Sequence, residues 1–334
     1  MTGSIAGPEP FEIPPPPTVR EQFGRHPPRA EMWVGVGVLV AYVAAALSAI
    51  AVFWGHLTRL TVNPVWIPPF NVPGMSWAHP FGVLPGIGTD LFGAVWQATP
   101  WDLSIVLCIL AIGATLGFLL GAIAGLHEGR SLDSAVMFVG DSLGAIPAFF
   151  LIIVLFAGFK ALAPGAAGIP LFIVLFGLIL WPTYARTVRG AARTVAAEPF
   201  VESARASGAK DSRILFHHVM PNSLAPVLAQ LPLDVAVIFF VLSVYPWFNC
   251  WVFPETNPYA QYLVPALPAF SPLPSVSFPE WGNLLAVGVC EGVTFVGGPN
   301  YWWMYTFPLL AIVLLGIGIG LFCDGLEKWL RVTQ

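Results

Sequence analysis

Residues 186–228 read RTVRGAARTVAAEPFVESARASGAKDSRILFHHVMPNSLAPVL. Six of the chain's 14 basic residues fall here: Arg186, Arg189, Arg193, Arg205, Lys210 and Arg213. The charge alone would suit a solvated loop, yet the local signals are ordered. Glu198-Pro199 reads as a helix start, because proline suits the first turn and an acid suits the dipole at that end. Phe200, Val201 and Ala204 fall on one face, with Glu202 and Arg205 elsewhere around the turn. Gly208 is placed as a C-terminal stop, where a left-handed conformation is cheap for glycine. Asp211 or Ser212 then caps a second short helix carrying Ile214, Leu215 and Phe216, and Pro221 closes it. The stretch predicts a helix–Gly–helix element at a membrane surface. On pattern alone, an amphipathic loop held by anionic lipid explains it as well as a docking site does.

The rest of the chain decides what surrounds this element. Of 334 residues, 57% are hydrophobic and only 10% charged, and the mean hydropathy is +0.77. Soluble domains carry about 25% charged residues, so there is too little charge here to coat a water-soluble protein. A net charge of −4 offers no basic field for nucleic acid. Four cysteines are too few and scattered for a disulfide scaffold or a zinc site. The 33 prolines and 33 glycines are compatible with a polytopic membrane protein, since both are commoner in membrane helices than in soluble ones.

A crossing helix needs about 20 apolar residues, and six stretches qualify: 33–56, 101–126, 134–159, 169–184, 224–244 and 303–326. The expected organisation is a flexible tail over 1–32, a first transmembrane helix over 33–56 and an outer segment over 57–100. A transmembrane core over 101–326 follows, with a cytoplasmic loop at 187–221 and an outer insertion at 245–302. A short C-terminal tail, 327–334, ends the chain. With six spans both termini share one side, and that side carries twelve of the 14 basic residues, leaving Arg59 and Lys160 opposite. The positive-inside rule makes that side the cytoplasm. The expectation is an all-α, six-helix protein of the cell membrane, with both termini cytoplasmic.

The residues then carry a resemblance. Glu202-Ser203-Ala204, Gly208, Ile214 and Met220-Pro221-Asn222 resemble the cytoplasmic EAA loop of ABC-importer permeases. His79-Pro80-Phe81-Gly82, Gly88-Thr89-Asp90, and Gly125 through Asp133 with Asp141 and Pro147 are similar to the C-type permeases of dipeptide, oligopeptide and nickel importers. So are Trp181-Pro182-Thr183-Tyr184-Ala185-Arg186 with Val188-Arg189-Gly190. Pro279-Glu280-Trp281-Gly282-Asn283, Phe307-Pro308 and Cys323-Asp324-Gly325-Leu326 continue the match in order. The pattern departs at Ala94-Val95, where the family has Arg-Asp, at Leu242-Ser243-Val244-Tyr245-Pro246, and in the long stretch 247–278. These departures cluster at the outer mouth.

The resemblance implies a type I permease fold. It implies a coupling helix built on Phe200, Val201, Glu202, Ser203, Ala204, Gly208 and Ile214, docking in a cleft of an ATPase. It implies four kinds of partner: a second homologous permease, two ABC ATPases, an extracytoplasmic substrate-binding protein and the bilayer. No cofactor is expected in this chain, with ATP and Mg held by the ATPases; no Walker A pattern occurs. Peptides are the leading cargo and oligosaccharides the alternative. A rival from another class is an ion-coupled carrier or membrane enzyme using Asp141 and Asp234, because intramembrane acids mark functional sites by default.

Other patterns were weighed on chemistry. Asp141, Asp234 and Ser243 are candidate pathway or gating residues, with pairing inside the bundle, for instance to Arg186, the plainer reading of Asp141. Gly113, Gly117, Gly121 and Gly125 recur every fourth residue and read as a packing face. Gly316, Gly318 and Gly320 lie in an apolar span and read the same way, not as a nucleotide loop. His217-His218 is a poor metal pair, since adjacent helix positions point apart, and no catalytic or metal site is expected. Cys108 and Cys323 are expected reduced and packed as small hydrophobes. Cys250 and Cys290 share the outer insertion and are a possible disulfide on the oxidising side.

Overall fold

The computed structural model describes residues 30–53, 78–84, 89–147, 150, 168–252, 281–282, 284–285 and 302–332. Its described residues are helical apart from short turns and a two-residue antiparallel ribbon. The helices are α1 (Ala30–Phe53), α2 (Leu91–Leu126), α3 (Ser131–Gly144), α4 (Gly168–Ala196), α5 (Pro199–Ala206) and α6 (Asp211–Ile214). A π-helical turn (Leu215–Val219) leads into α7 (Met220–Asn222), α8 (Ala225–Val252) and α9 (Trp303–Val332). Strands β1 (Val83–Leu84) and β2 (Thr89–Asp90) pair Val83 with Asp90 and Leu84 with Thr89. Among the described residues five helices, α1, α2, α4, α8 and α9, are long and apolar enough to cross a membrane. Only the first part of the expected third span is described, as α3.

Several boundaries move. The second helix starts at Leu91 rather than 101, ahead of Pro100. Asp90 caps it, with its carboxylate accepting from the Gly93 amide at 2.6 Å. Near the proline the Val95 carbonyl accepts from Thr99 Oγ1 at 3.2 Å and Trp281 Nε1 at 2.9 Å. At 36 residues this helix is about 54 Å long, well beyond the hydrocarbon core. Helix α4 continues past Tyr184 to Ala196, so the cytoplasmic loop begins as rigid helix. The fifth span reaches Val252, and the insertion expected from 245 therefore opens as helix. The sixth runs to Val332, making most of the expected C-terminal tail helical.

Packing explains the glycines. A Cβ on Gly113 would lie 2.9 Å from Leu180 Cβ, one on Gly117 2.3 Å from Tyr184 Cβ, one on Gly121 2.5 Å from the Ala185 carbonyl, and one on Gly125 2.7 Å from Ala192 Cβ. The stripe is the seam where α2 meets α4 at backbone distance. A second seam joins α1 to α9: Gly35 abuts the Phe322 amide, Gly318 Val38, and Gly325 Met32. Between helices in lipid there is no hydrophobic drive, so close van der Waals approach carries the association. The core these seams enclose includes Ile109, Phe176, Tyr184, Ile238, Phe239 and Leu315. Leu47, Leu107, Phe240 and Leu314 point outward, as lipid-facing residues do.

Candidate functional site: the candidate coupling element after α4

The chain turns sharply after α4. Pro199 occupies the first turn of α5, and the Val201 and Glu202 amides both bond to the Glu198 carbonyl. Gly208 then takes φ +82°. Its amide bonds to the Arg205 carbonyl at 2.9 Å and the Ala209 amide to that of Ala204 at 3.0 Å. This double closure is a Schellman motif, and it needs a left-handed residue at the position of Gly208. A Cβ there would meet nothing within 4 Å, so backbone conformation alone selects glycine.

The helices after Gly208 differ from the expected capping. Lys210 occupies the cap position without a side-chain bond, and Asp211 is the first helical residue. The Asp211 carboxylate reaches His127 Nε2 instead, at 3.6 Å. The π turn precedes Pro221, and the Asn222 side-chain amide donates to the His218 carbonyl at 2.6 Å.

The element has two faces. Val201, Ile214 and Val219 are fully buried and join the bundle core. Phe200, Glu202, Ser203 and Phe216 are exposed, Ala204 is half-buried, and the Phe200 ring lies against His218 at 5.9 Å. Sequence reasoning set Phe200 and Val201 on one face; the structure divides them, because the bundle lies under Val201 alone. Among the described residues no group of three or more His, Cys, Asp or Glu side chains could hold a metal ion.

Helix α4, which leads into the element, is tied by charge to α3 and the turn before it. Arg186, Arg189 and Arg193 on α4 pair with Asp141, Asp133 and Glu128 at 3.1, 2.6 and 2.7 Å. Asp133 is buried, and Arg189 grips it with two bonds, Nε to Oδ1 and an NH2 nitrogen to Oδ2. That hydrogen bonding outweighs burial and holds the Asp133 carboxyl below the usual carboxylate range. The Arg186–Asp141 pair is the one the sequence suggests; the pairing of Arg189 with Asp133 and of Arg193 with Glu128 is not foreseen there. The i, i+3, i+7 spacing was the available signal.

The three candidate pathway residues are not brought together. Asp141 is exposed on α3 beside Arg186. Asp234 is buried in α8, where Oδ1 accepts from Gln230 Nε2 at 2.9 Å and Oδ2 has no hydrogen-bond partner. Ser243 lies nine residues further along and donates to the Phe239 carbonyl at 2.8 Å. The buried Tyr184 hydroxyl, near Asp234, was not foreseen. Cys323 is buried, but Cys108 is exposed, in contrast to the packed thiol expected, because it faces away from the α2–α4 seam. Cys250 is within α8 but its side chain, like all of Cys290, lies outside the described residues.

Two further contacts organise the opposite end. His79 Nδ1 meets Asp90 Oδ1 at 3.0 Å, and Phe81 stacks on Phe307 at 4.0 Å, so the motif before the second span folds as one unit. The Trp281 amide donates to the buried Asp102 Oδ2 at 3.0 Å. The Trp281 ring packs against Phe239 and Tyr42.

A family model, the binding-protein-dependent transport system inner membrane component, matches residues 117–251, a range that holds Gly117, Gly121 and Gly125 of the α2–α4 seam and the whole helix–Gly–helix element. Among the curated relatives, the glutathione transport system permease protein of Pectobacterium atrosepticum is 27% identical over 93% of this chain and 93% of its own. The "Probable D,D-dipeptide transport system permease protein" of Escherichia coli is 29% identical over 76% and 74%. The dipeptide transport system permease protein of Alkalihalophilus pseudofirmus is 26% identical over 78% and 74%. The chain is thus similar to permease proteins of peptide and glutathione transport systems, and its long apolar helices fit a multi-pass membrane protein.

Proposed function

We propose that this permease forms half of the translocation pathway of an ATP-driven importer of di- and oligopeptides in the cell membrane. It assembles with a second, homologous permease, two ABC ATPases that hold ATP and Mg, and an extracytoplasmic binding protein. Both termini face the cytoplasm. The observation that carries the reading is the split face of α5: Val201 anchors it in the bundle while Phe200, Glu202 and Ser203 stand exposed. A helix held from beneath, presenting the Phe200 ring beside the polar Glu202 and Ser203, suits docking into a cleft. Closure of the ATPases then moves the element, and α4, continuous with it, tilts to switch the pathway between its two openings. Peptide cargo is supported by the names of the relatives.

The carrier reading needs Asp141 and Asp234 on one route. Asp141 is exposed and paired on α3, and Asp234 is in the core, so no feature of the described residues favours it. The test is a crosslink from Ser203→Cys to the ATPase co-expressed with this chain. A linked product that shifts on nucleotide addition is expected; no product from Ser203→Cys or from Glu202→Cys contradicts the docking.

A further inference from the structure

We propose that the Asp133–Arg189 pair is a positioning strut that makes α3 move with α4, so that displacement of the coupling element is delivered to the membrane segment beginning at Ser131. The proposal rests on the coupling role assigned above.

Helix α3 is held by very little else. Of its 14 residues only Asp133 and Gly140 are buried, and Leu132, Phe138 and Val139 are exposed. Apolar side chains next to lipid supply no drive for α3 to stay on α4. Its register must come from specific contacts. Gly140 supplies one, lying flat against Pro182 and the Trp181 ring. The arginine ladder supplies the others, and its order is informative: Arg186, Arg189 and Arg193 ascend one face of α4 while Asp141, Asp133 and Glu128 descend. The two outer rungs join exposed side chains, and such pairs contribute little.

The middle rung differs in kind. Its two bonds, 2.6 and 2.8 Å, hold a carboxylate that is 5% exposed. A bidentate fork fixes angle as well as distance. Asp133 Oδ2 also accepts from the Gly129 amide at 3.0 Å, so the same carboxylate holds the turn ahead of α3. At the far end of that turn His127 meets Asp211 of the coupling element. The turn is therefore gripped by α4 on one side and by α6 on the other.

The experiment uses the whole importer, purified through a tag on this chain and placed in liposomes. Spin labels at Phe138→Cys on α3 and Gly190→Cys on α4, in a background without native cysteines, report the spacing of the two helices. Gly190 has open space around it. The native pair should give one narrow distance, unchanged between nucleotide-free and vanadate-trapped states. Arg189→Lys, which keeps the charge but loses the fork, should broaden it. Dialanine transported per ATP hydrolysed should fall about fivefold, the low end of typical coupling between sites. The exchange Asp133→Arg with Arg189→Asp should narrow the distance again. A native distance that moves on trapping, or an Arg189→Lys distance as narrow as the native one, overturns the strut. Absence of ATPases from the purified complex would overturn the coupling reading itself, a separate outcome.

Discussion

Gly208 and Asp133 show what single residues contribute to the coupling element. At φ +82° a valine would adopt a left-handed backbone at a cost of about 1–2 kcal/mol and misdirect α6. Gly208→Val should therefore reduce substrate-stimulated ATP hydrolysis while the second permease stays bound, with Gly208→Asn milder; unchanged turnover would contradict the role. Asp133 makes a pH prediction. Its folded pKa lies below its unfolded one, so its stabilisation is present above the usual carboxylate value of about 4 and is lost as pH falls through the lower folded value. Thermal unfolding in detergent should show that acid-side decline, and Asp133→Asn should lack it while losing about 2 kcal/mol at neutral pH. The two residues were not equally legible. Gly208 answers a local need, the end of an eight-residue helix, and local needs can be read along the chain. Asp133 and Arg189 are 56 residues apart, and nothing short of the fold brings them together.

At the scale of elements, the α2–α4 seam governs. Gly117→Leu forces a side chain into Tyr184 Cβ and the Trp181 carbonyl, 2.3 and 2.5 Å from the first added carbon. It should separate the two helices, costing about 1–3 kcal/mol or more, visible as a lower folded yield by size-exclusion chromatography. Gly316→Ala is the control: its Cβ meets nothing within 4 Å, and the yield should hold. The four-residue spacing made this face readable; its partner helix was not, because periodicity shows which face packs and not what packs there. Helix ends were read short for a physical reason. Pro100 and the arginines of α4 look like boundaries on hydropathy alone, whereas both segments stay helical and the arginines there are paired with carboxylates.

At the scale of the whole molecule, the end opposite the proposed coupling element is pinned by Asp102 and Trp281, and the pin makes its own prediction. Asp102→Ala removes the acceptor of the buried Trp281 amide, a loss of about 1–3 kcal/mol. Limited proteolysis from outside should then cut near residue 281 faster than in the native protein, while crosslinking at Ser203→Cys is unaffected. The membrane class followed from composition, and the helix–Gly–helix form around Gly208 from its local signals. The pin did not, since Asp102 and Trp281 are 179 positions apart. The most direct measurement of the central claim is uptake of radiolabelled dialanine into liposomes holding this chain with its co-purified subunits, ATP on the ATPase side and binding protein on the other. The account predicts accumulation that requires both and is abolished by Gly208→Val. Accumulation that persists without ATP, driven by an ion gradient alone, would contradict it.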